Sequence, residues 1–170
     1  DCLLSRGLGD VYKRQDPNTD PAPPMEPFVV WQDARVKVSA ILVPHGLVYP
    51  NFAYRFDTAA GSVVFSGDTA VSDNLVKLAR GADILVHEAI DPAWVDHIVG
   101  AKPWDARQQA LATQLLHAHA TPIEVGDVAT LAGVKTLVLS HLVPGDAPAE
   151  HWLQALSLIH ISEPTRQEAI

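Results

Sequence analysis

A carboxylate on a tight turn after a buried strand is the sequence feature that most limits the fold of this chain. Residues 62–65 (Ser-Val-Val-Phe) form an apolar run typical of a short buried strand, and Ser66-Gly67-Asp68-Thr69 follows directly. Gly67 permits the tight turn, so Asp68 lies at the carboxyl end of that strand. Because α/β proteins hold ligands and metal ions at this end of their strands, the pattern predicts a sheet with a site at one edge.

The rest of the chain predicts a mixed sheet covered by helices. Alternating apolar residues indicate a strand over 36–43, and residues 52–57 with 62–66 indicate a hairpin. Helical spacing and stop signals predict helices over 73–80, 105–117 and 122–132, with Thr121 as N-cap and Glu124 completing a capping box. Further strands are expected over 84–86 and 136–139, whereas 16–27 is expected to be irregular. Helices on one face of a mixed sheet are the simplest architecture.

Composition limits the chemistry that the chain can perform. Apolar residues make up 48% of the chain, enough for a sizeable core, and the formal net charge is −8 without any basic cluster. This balance argues weakly against a nucleic-acid-binding surface. Cys2 is the only cysteine, so any metal ion must be held by His, Asp or Glu. No apolar run reaches the ~18 residues of a membrane span.

Four histidines accompany Asp68 at or just beyond the ends of apolar segments: His45, His87, His119 and His141. A carboxylate and several histidines at strand ends are the residue types that bind metal ions, so the pattern indicates a metal site. Each residue alone has an ordinary structural interpretation. A single histidine after a strand is more often a loop or core residue, and Gly-Asp-Thr is usually a turn former.

Several short motifs, in this order, resemble the C-terminal half of the metallo-β-lactamase fold. They lie within residues 36–145 and are Pro44-His45-Gly46, Phe52-Ala53-Tyr54-Arg55-Phe56, Phe65-Ser66-Gly67-Asp68-Thr69, Ala82-Asp83-Ile84-Leu85-Val86-His87-Glu88-Ala89, His119-Ala120-Thr121 and Leu137-Val138-Leu139-Ser140-His141. The pattern is most similar to the branch containing tRNA 3′-processing endonucleases (tRNase Z) and a bacterial arylsulfatase-like group. The resemblance implies an α/β chain (α+β, four-layer αββα type) that supplies one sheet with its helices.

The resemblance also implies roles for the matched residues. The implied metal ligands are His45, Asp68 as the bridge between two ions, and His141. The implied catalytic residues are Asp68, His119 as the donor of a proton to the leaving group, and Glu88 as the carboxylate that orients His119. The implied cofactor is Zn²⁺, two ions per full-length site, although Mn²⁺ or Fe²⁺ would suit the same ligands.

Three points stay open at the level of sequence. Glu88 favours the charged form of His119, whereas the helix N-terminus at Thr121 disfavours it. His87 is expected to pack beneath the site without touching metal. Residues 90–117, with Trp94 and Trp104, are longer than the nuclease branch usually needs; they either shape a substrate pocket or simply pack in the core.

The two ends of the chain are expected to be non-native. Residues 5–15 (SRGLGDVYKRQ) and 156–166 (LSLIHISEPTR) resemble the two conceptual translations of a transposon-end sequencing adapter. We therefore expect residues 1–15 and 155–170 to be adapter-derived tails and 16–154 to be a partial hydrolase domain. The His-x-His-x-Asp-His signature of the family has no match in the chain. On this interpretation the chain as written is an inactive fragment that binds zinc weakly.

The expected function is that of a metal-dependent hydrolase of phosphodiester, sulfate ester or carboxylic ester bonds, acting through a metal-activated hydroxide. The acidic charge favours a small-molecule ester over a nucleic acid as substrate, with a tRNA 3′-processing nuclease as the alternative. We expect no membrane partner and a cytoplasmic location, with a periplasmic one as the alternative. The substrate, the metal and the oligomeric state, including a homodimer, stay open.

Overall fold

The fold is built on one mixed sheet whose strands follow each other in chain order. The computed structural model describes residues 20–157 and 168–169. The strands are β1 (Phe28–Gln32), β2 (Val36–Leu42), β3 (Phe52–Thr58), β4 (Gly61–Phe65), β5 (Ile84–Ile90), β6 (Thr136–Val143) and β7 (Glu168–Ala169). β1 to β4 pair antiparallel, and β4 to β7 pair parallel. The predicted hairpin is confirmed as β3 and β4.

Within residues 20–157, five helices accompany the sheet: α1 (Asp73–Ala79), α2 (Pro92–Val99), α3 (Ala106–Ala118), α4 (Pro122–Ala132) and α5 (Ala149–Ser157). The main core lies between one face of the sheet and helices α1, α4 and α5, where Val64, Leu75, Leu85, Val125 and Trp152 are buried together. On the other face, aromatic side chains of β1, β3 and β4 remain exposed, among them Trp31, Tyr54 and Phe65. The predicted mixed sheet with helices on one face is therefore confirmed.

Local capping signals set the helix starts. Thr121 accepts a hydrogen bond from the backbone of Glu124, and the Glu124 side chain accepts one from the backbone of Thr121, as the predicted capping box requires. Asp105 and Gln108 form a second capping box at the start of α3. This second box was not predicted, although Asp followed three residues later by Gln is typical of one.

The strand ends differ from the sequence prediction. β5 was expected to stop before His87 and β6 before Ser140, but their parallel pairing continues to Ile90 and Val143. His87 therefore lies inside a strand and not at its end. β1, α2 and α5 were not predicted. α5 also continues through the expected boundary at residue 155, and Leu156 within it is buried in the main core.

Helices α2 and α3 form a small second core. Ile90, Val95, Val99 and Ala112 are buried there, and Trp94 and Trp104 pack against them. Core packing is thus the structural role of both tryptophans.

The first expected tail, residues 1–15, lies outside the described residues. No helix within the described part of the chain is long and apolar enough to cross a membrane.

An irregularity between β5 and β6 places His141 in an unusual conformation. His87 pairs with Leu139, but Ala89 pairs with Leu142, so β6 has one residue more than β5 between these pairs. Such a bulge re-aims side chains and is common beside active sites. His141 takes up the extra length with a φ of 47°, in the left-handed region that costs an L-residue other than glycine about 1–2 kcal/mol.

Replacing His141 by glycine should therefore stabilise the fold. The relief of strain exceeds the loss of roughly 0.5–1 kcal/mol from the greater freedom of glycine in the unfolded chain, so a net gain of up to about 1 kcal/mol is expected. Urea unfolding of His141→Gly against wild type measures it. Ser140→Gly, at the neighbouring position without positive φ, should instead destabilise; a loss of stability in both variants would contradict the strain.

Candidate functional site

The residues to which the family resemblance gave roles meet at one edge of the sheet: His45, Asp68, Glu88, His119 and His141. The ring centroids of His45 and His119 are 5.1 Å apart, and those of His119 and His141 are 6.4 Å apart. Nδ1 of His119 lies 3.2 Å from Oε1 of Glu88, and Nε2 of His141 lies 3.4 Å from Oδ2 of Asp68. β2, β4, β5 and β6 point in the same direction, so residues at their carboxyl ends converge as expected.

Glu88 is the buried centre of this group, with 2% of its surface exposed. Its Oε1 accepts hydrogen bonds from the backbone N–H groups of Thr69 and Ala120, both at 3.1 Å, and from His119 at 3.2 Å. A buried carboxylate is costly unless it is hydrogen-bonded, and these three donors offset that cost. One oxygen thereby ties the Asp68 turn, strand β5 and the segment before α4 together.

The hydrogen bond between Glu88 and His119 sets the orientation of the imidazole and favours its charged form. An ionised carboxylate only accepts hydrogen bonds, so Nδ1 of His119 must donate, and a second proton on the ring is carried by Nε2. The hydrogen bond from Glu88 raises the pKa of His119 above its ordinary value, against the opposing effect of burial. The balance left open by the sequence is therefore resolved in favour of the charged form.

His45 has the opposite electrostatic tendency. Burial and the neighbouring His119 lower its pKa, so it stays neutral and keeps a lone pair on its ring. A neutral imidazole is the form that binds a metal ion. His45 is therefore suited to binding a metal ion, whereas the neighbouring His119 is suited to carrying a proton.

The turn that carries Asp68 is held from several sides. Thr69 Oγ1 donates to the carbonyl of Pro44, and the backbone N–H of Ala70 donates to the same carbonyl. The side-chain amide of Asn51 donates to the carbonyl of Asp68. Gly67 has a φ of 63°, and a Cβ there would approach the carbonyl oxygen of Phe52 to 3.0 Å, so only glycine fits this position.

Asp68 and His141 suit a metal ion as an incomplete ligand set. Nε2 of His141 and Oδ2 of Asp68 lie 3.4 Å apart, so both can be ligands of one ion. Tight zinc sites use three or four protein ligands, and these two residues supply only two. Among residues 20–157, no three His, Cys, Asp or Glu side chains converge closely enough to hold a metal ion. The chemistry of the donors fits a divalent metal, and further ligands would be needed to complete the coordination.

Several contributors to the site escaped the sequence analysis. Thr69 and Ala120 act through backbone N–H groups, which no residue-type signal marks. Ser66 accepts a hydrogen bond from the backbone N–H of Glu88 through its side-chain Oγ, a long-range contact that the local motif does not reveal. Asn51 contributes a side-chain hydrogen bond to the carbonyl of Asp68, and no sequence motif predicted this role. His87 is fully buried, its Nδ1 contacts the carbonyl of Glu88 at 2.8 Å, and burial lowers its pKa, as suits a neutral histidine packed beneath the site.

Comparison with known proteins agrees with this geometry. A family model described as "Beta-lactamase superfamily domain" matches residues 4–142. The chain belongs to this superfamily. It is 33% identical over 124 residues to ribonuclease Z of Mycobacterium tuberculosis, covering 72% of this chain and 42% of that protein. A Mycobacterium sp. ribonuclease Z is 32% identical over 139 residues, covering 79% and 46%.

Solved structures give the same result. Human tRNase Z, short form, superposes with a TM-score of 0.50 at 28% identity, over 69% of this chain and 39% of that one. The metallo-β-lactamase fold protein YhfI of Bacillus subtilis superposes with a TM-score of 0.59 at 15% identity, over 98% and 60%, and shows the shared fold. The predicted fold and the tRNase Z branch are confirmed. The chain spans about half the length of the curated relatives that it matches.

The expected preference for a small-molecule ester over a nucleic acid is wrong. The relatives are ribonucleases Z and a tRNase Z, which their names describe as enzymes acting on RNA. The preference relied on the overall charge of −8 and the lack of a basic cluster. Net charge is a sum over the whole surface, so it says little about the field at one edge of a sheet.

Replacing Glu88 by glutamine should lower the pKa of His119. The amide can still accept hydrogen bonds, but it lacks the charge that favours imidazolium. The C2 proton signal of His119 in an NMR pH titration of the metal-free chain measures the change. Glu150→Gln, an exposed change on α5, is the matched control and should leave His119 unaffected.

The hydrogen bond between Glu88 and His119 should also make the stability of the fold depend on pH in a defined direction. Because the folded pKa of His119 is raised, its contribution is fully present below the unfolded pKa of about 6.5 and is lost as pH rises through the folded value. The difference in melting temperature between wild type and Glu88→Gln should therefore shrink as pH rises through this range. A difference that is constant with pH, or an unchanged His119 titration, would contradict the assigned role.

Proposed function

We propose that this chain is the part of a ribonuclease Z-like enzyme that supplies the proton donor and several metal ligands for cleaving a phosphodiester bond in precursor tRNA. The observation that carries the proposal is the buried Glu88 fixing His119 beside Asp68 and His141. The ribonuclease Z relatives support the choice of RNA among the ester substrates that this fold could serve. A tRNA substrate would also place the protein in the cytoplasm.

The proton-handling step depends on His119. Nδ1 is engaged by Glu88, so a proton on Nε2 is the one available to the site. The hydrogen bond to Glu88 raises the pKa of His119, which favours this proton at a higher pH than in an ordinary histidine. Cleavage of a phosphodiester leaves an alkoxide that must be protonated, and a positioned histidine typically contributes a 10²–10⁴-fold rate increase as general acid. Glu88 is the residue that positions it.

The proposed metal ligands are His45, Asp68 and His141. A bound divalent ion, zinc by default and two per complete site, would polarise the phosphoryl group and lower the pKa of a water molecule. Asp68 is exposed enough to reach such an ion while its turn is held by Thr69 and Asn51. The role of the chain's own residues is to hold these donors on the same edge as His119.

The activity can be tested by grafting. Residues 20–157 would replace the matching segment of the Mycobacterium tuberculosis ribonuclease Z, which supplies the rest of the fold. The chimera should cleave a precursor tRNA with a 3′ extension in the presence of Zn²⁺ or Mn²⁺. His119→Ala in the chimera should lower kcat by about 10²–10⁴-fold, since it removes the general acid.

His97→Ala is the matched control, because His97 is an exposed histidine on α2 away from the cluster. It should leave kcat unchanged. A folded chimera that hydrolyses an aryl ester but leaves precursor tRNA intact would contradict the proposal. So would a His119→Ala variant with the same kcat as His97→Ala.

A further inference from the structure

The peptide group between Asp68 and Thr69 is held on both sides by hydrogen bonds with other parts of the chain. Its carbonyl oxygen accepts a hydrogen bond from the side-chain amide of Asn51. Its N–H donates to Oε1 of the buried Glu88 at 3.1 Å. A peptide group is planar and rigid, so two hydrogen bonds at opposite edges fix the orientation of the whole group.

The peptide group before Asp68 is held as well. Ser66 is buried, and its Oγ donates to the carbonyl of Gly67 at 2.6 Å. The two rotations that remain between these peptide groups are the φ and ψ angles of Asp68. Because both groups are held, these angles are fixed, and so is the direction in which the Asp68 side chain leaves the backbone.

The carboxylate of Asp68 depends on this backbone geometry because its own surroundings fix it weakly. The Asp68 side chain is 35% exposed, and Nε2 of His141, 3.4 Å from Oδ2, belongs to a side chain that is 58% exposed. Exposed ion pairs of this kind contribute little to holding two side chains in one geometry. The backbone therefore sets where the Asp68 carboxylate faces.

The register of the strands explains why the donor comes from Asn51. The antiparallel ladder of β3 and β4 ends where Tyr54 pairs with Phe65, and three positions further Asn51 would face Asp68. A carbonyl beyond the end of a ladder is paired by side chains or water instead. The Asn51 amide supplies that donor. A Cβ at Gly67 would lie 3.9 Å from Nδ2 and Oδ1 of Asn51, so the amide lies against the turn.

Asn51 also closes the loop that carries His45. The backbone N–H of Val43 donates to the carbonyl of Asn51 at 3.0 Å, which joins the two ends of the loop after β2. At the start of this loop, the carbonyl of Pro44 accepts a hydrogen bond from the backbone N–H of Ala70 at 3.0 Å. The loop is therefore bonded to the neighbouring turn at both of its ends, and one of these bonds is made by the Asn51 amide.

We propose that Asn51 is a positioning residue that holds the Asp68 carboxylate at a set place relative to His45 and His141, so that these proposed metal ligands keep their mutual distances. The inference rests on the proposed function only in taking the three residues as ligands. Asn51 acts through the backbone of Asp68 and is neither a ligand nor a catalytic residue. An amide suits this role because it donates a hydrogen bond without adding a charge beside the ligands.

The first measurement needs neither metal nor RNA. Hydrogen exchange of the ¹⁵N-labelled 170-residue chain compares wild type with Asn51→Leu, since leucine has nearly the shape of asparagine but no donor. Thr69 and Ala120 both donate their backbone N–H to Oε1 of Glu88, but only Thr69 shares a peptide group with the carbonyl that Asn51 holds. The ratio of the Thr69 exchange rate to the Ala120 rate should therefore rise about 3–10-fold, the factor that one hydrogen bond typically contributes.

The second measurement tests metal binding. Mn²⁺ broadens the NMR signals of nearby protons, so a titration followed at the ring protons of His45 and His141 gives an affinity even where binding is weak. Asn51→Leu should weaken Mn²⁺ binding at least about three-fold, because ligands that are no longer held must be ordered when the ion binds. Asn51→Ala removes the same donor with a smaller side chain and should show both effects, so a misfolded leucine variant would not end the test.

Thr130→Val is the matched control. It also removes one hydrogen bond from a side chain to a backbone carbonyl, that of Thr130 Oγ1 to Gly126 at 2.9 Å, but in the last turn of α4. Thr130→Val should leave both the ratio of exchange rates and the Mn²⁺ affinity as in wild type.

The outcomes separate this inference from the function on which it rests. An unchanged ratio of exchange rates, with Thr69 and Ala120 both as in wild type or both accelerated equally, would overturn the positioning role and leave the nuclease proposal standing. A raised ratio with wild-type Mn²⁺ affinity would also overturn the inference, because the hold on Asp68 would then not serve the ligands. Absence of Mn²⁺ binding by wild type would count against the inference and the proposed metal ligands together.

Discussion

The site depends on a single buried oxygen, Oε1 of Glu88. Three donors meet there: the backbone of Thr69 from the Asp68 turn, the backbone of Ala120 before α4, and the ring of His119. These donors come from two distant parts of the chain, so the carboxylate fixes both of them relative to its own strand β5. The same contact gives His119 its orientation and its raised pKa. Structure and proton chemistry at this edge therefore have a common physical cause.

The strand directions of the sheet bring the residues of this contact together. β4, β5 and β6 are parallel, so the residues after them gather at one edge, and β2 points the same way through the antiparallel pairs. The bulge in β6 then sets His141 into the left-handed region beside Asp68. Such strain is kept where the surrounding structure determines it, as at functional sites. The strained backbone that places the His141 ring beside Asp68 therefore lowers the stability of the fold.

Much of this arrangement was accessible from sequence, because its signals are local. Gly67 before Asp68, the hairpin at residues 52–66 and the capping box of Thr121 each depend on neighbours a few residues apart. The motif order then identified His45, Glu88, His119 and His141 together. The partners of Glu88 lie 19, 31 and 32 residues away and two of them are backbone groups, which carry no sequence signal. The same is true of the bulge at Ser140 and His141, which only the pairing of β5 with β6 defines.

The position of the proton on His119 tests this view of the site most directly. Long-range ¹H–¹⁵N NMR of the imidazole rings distinguishes a proton on Nδ1 from one on Nε2 in the metal-free chain. If Glu88 holds the ring as described, neutral His119 carries its proton on Nδ1, and a second proton appears on Nε2 as pH falls. A neutral His119 with its proton on Nε2 and a bare Nδ1 would contradict the central role of Glu88.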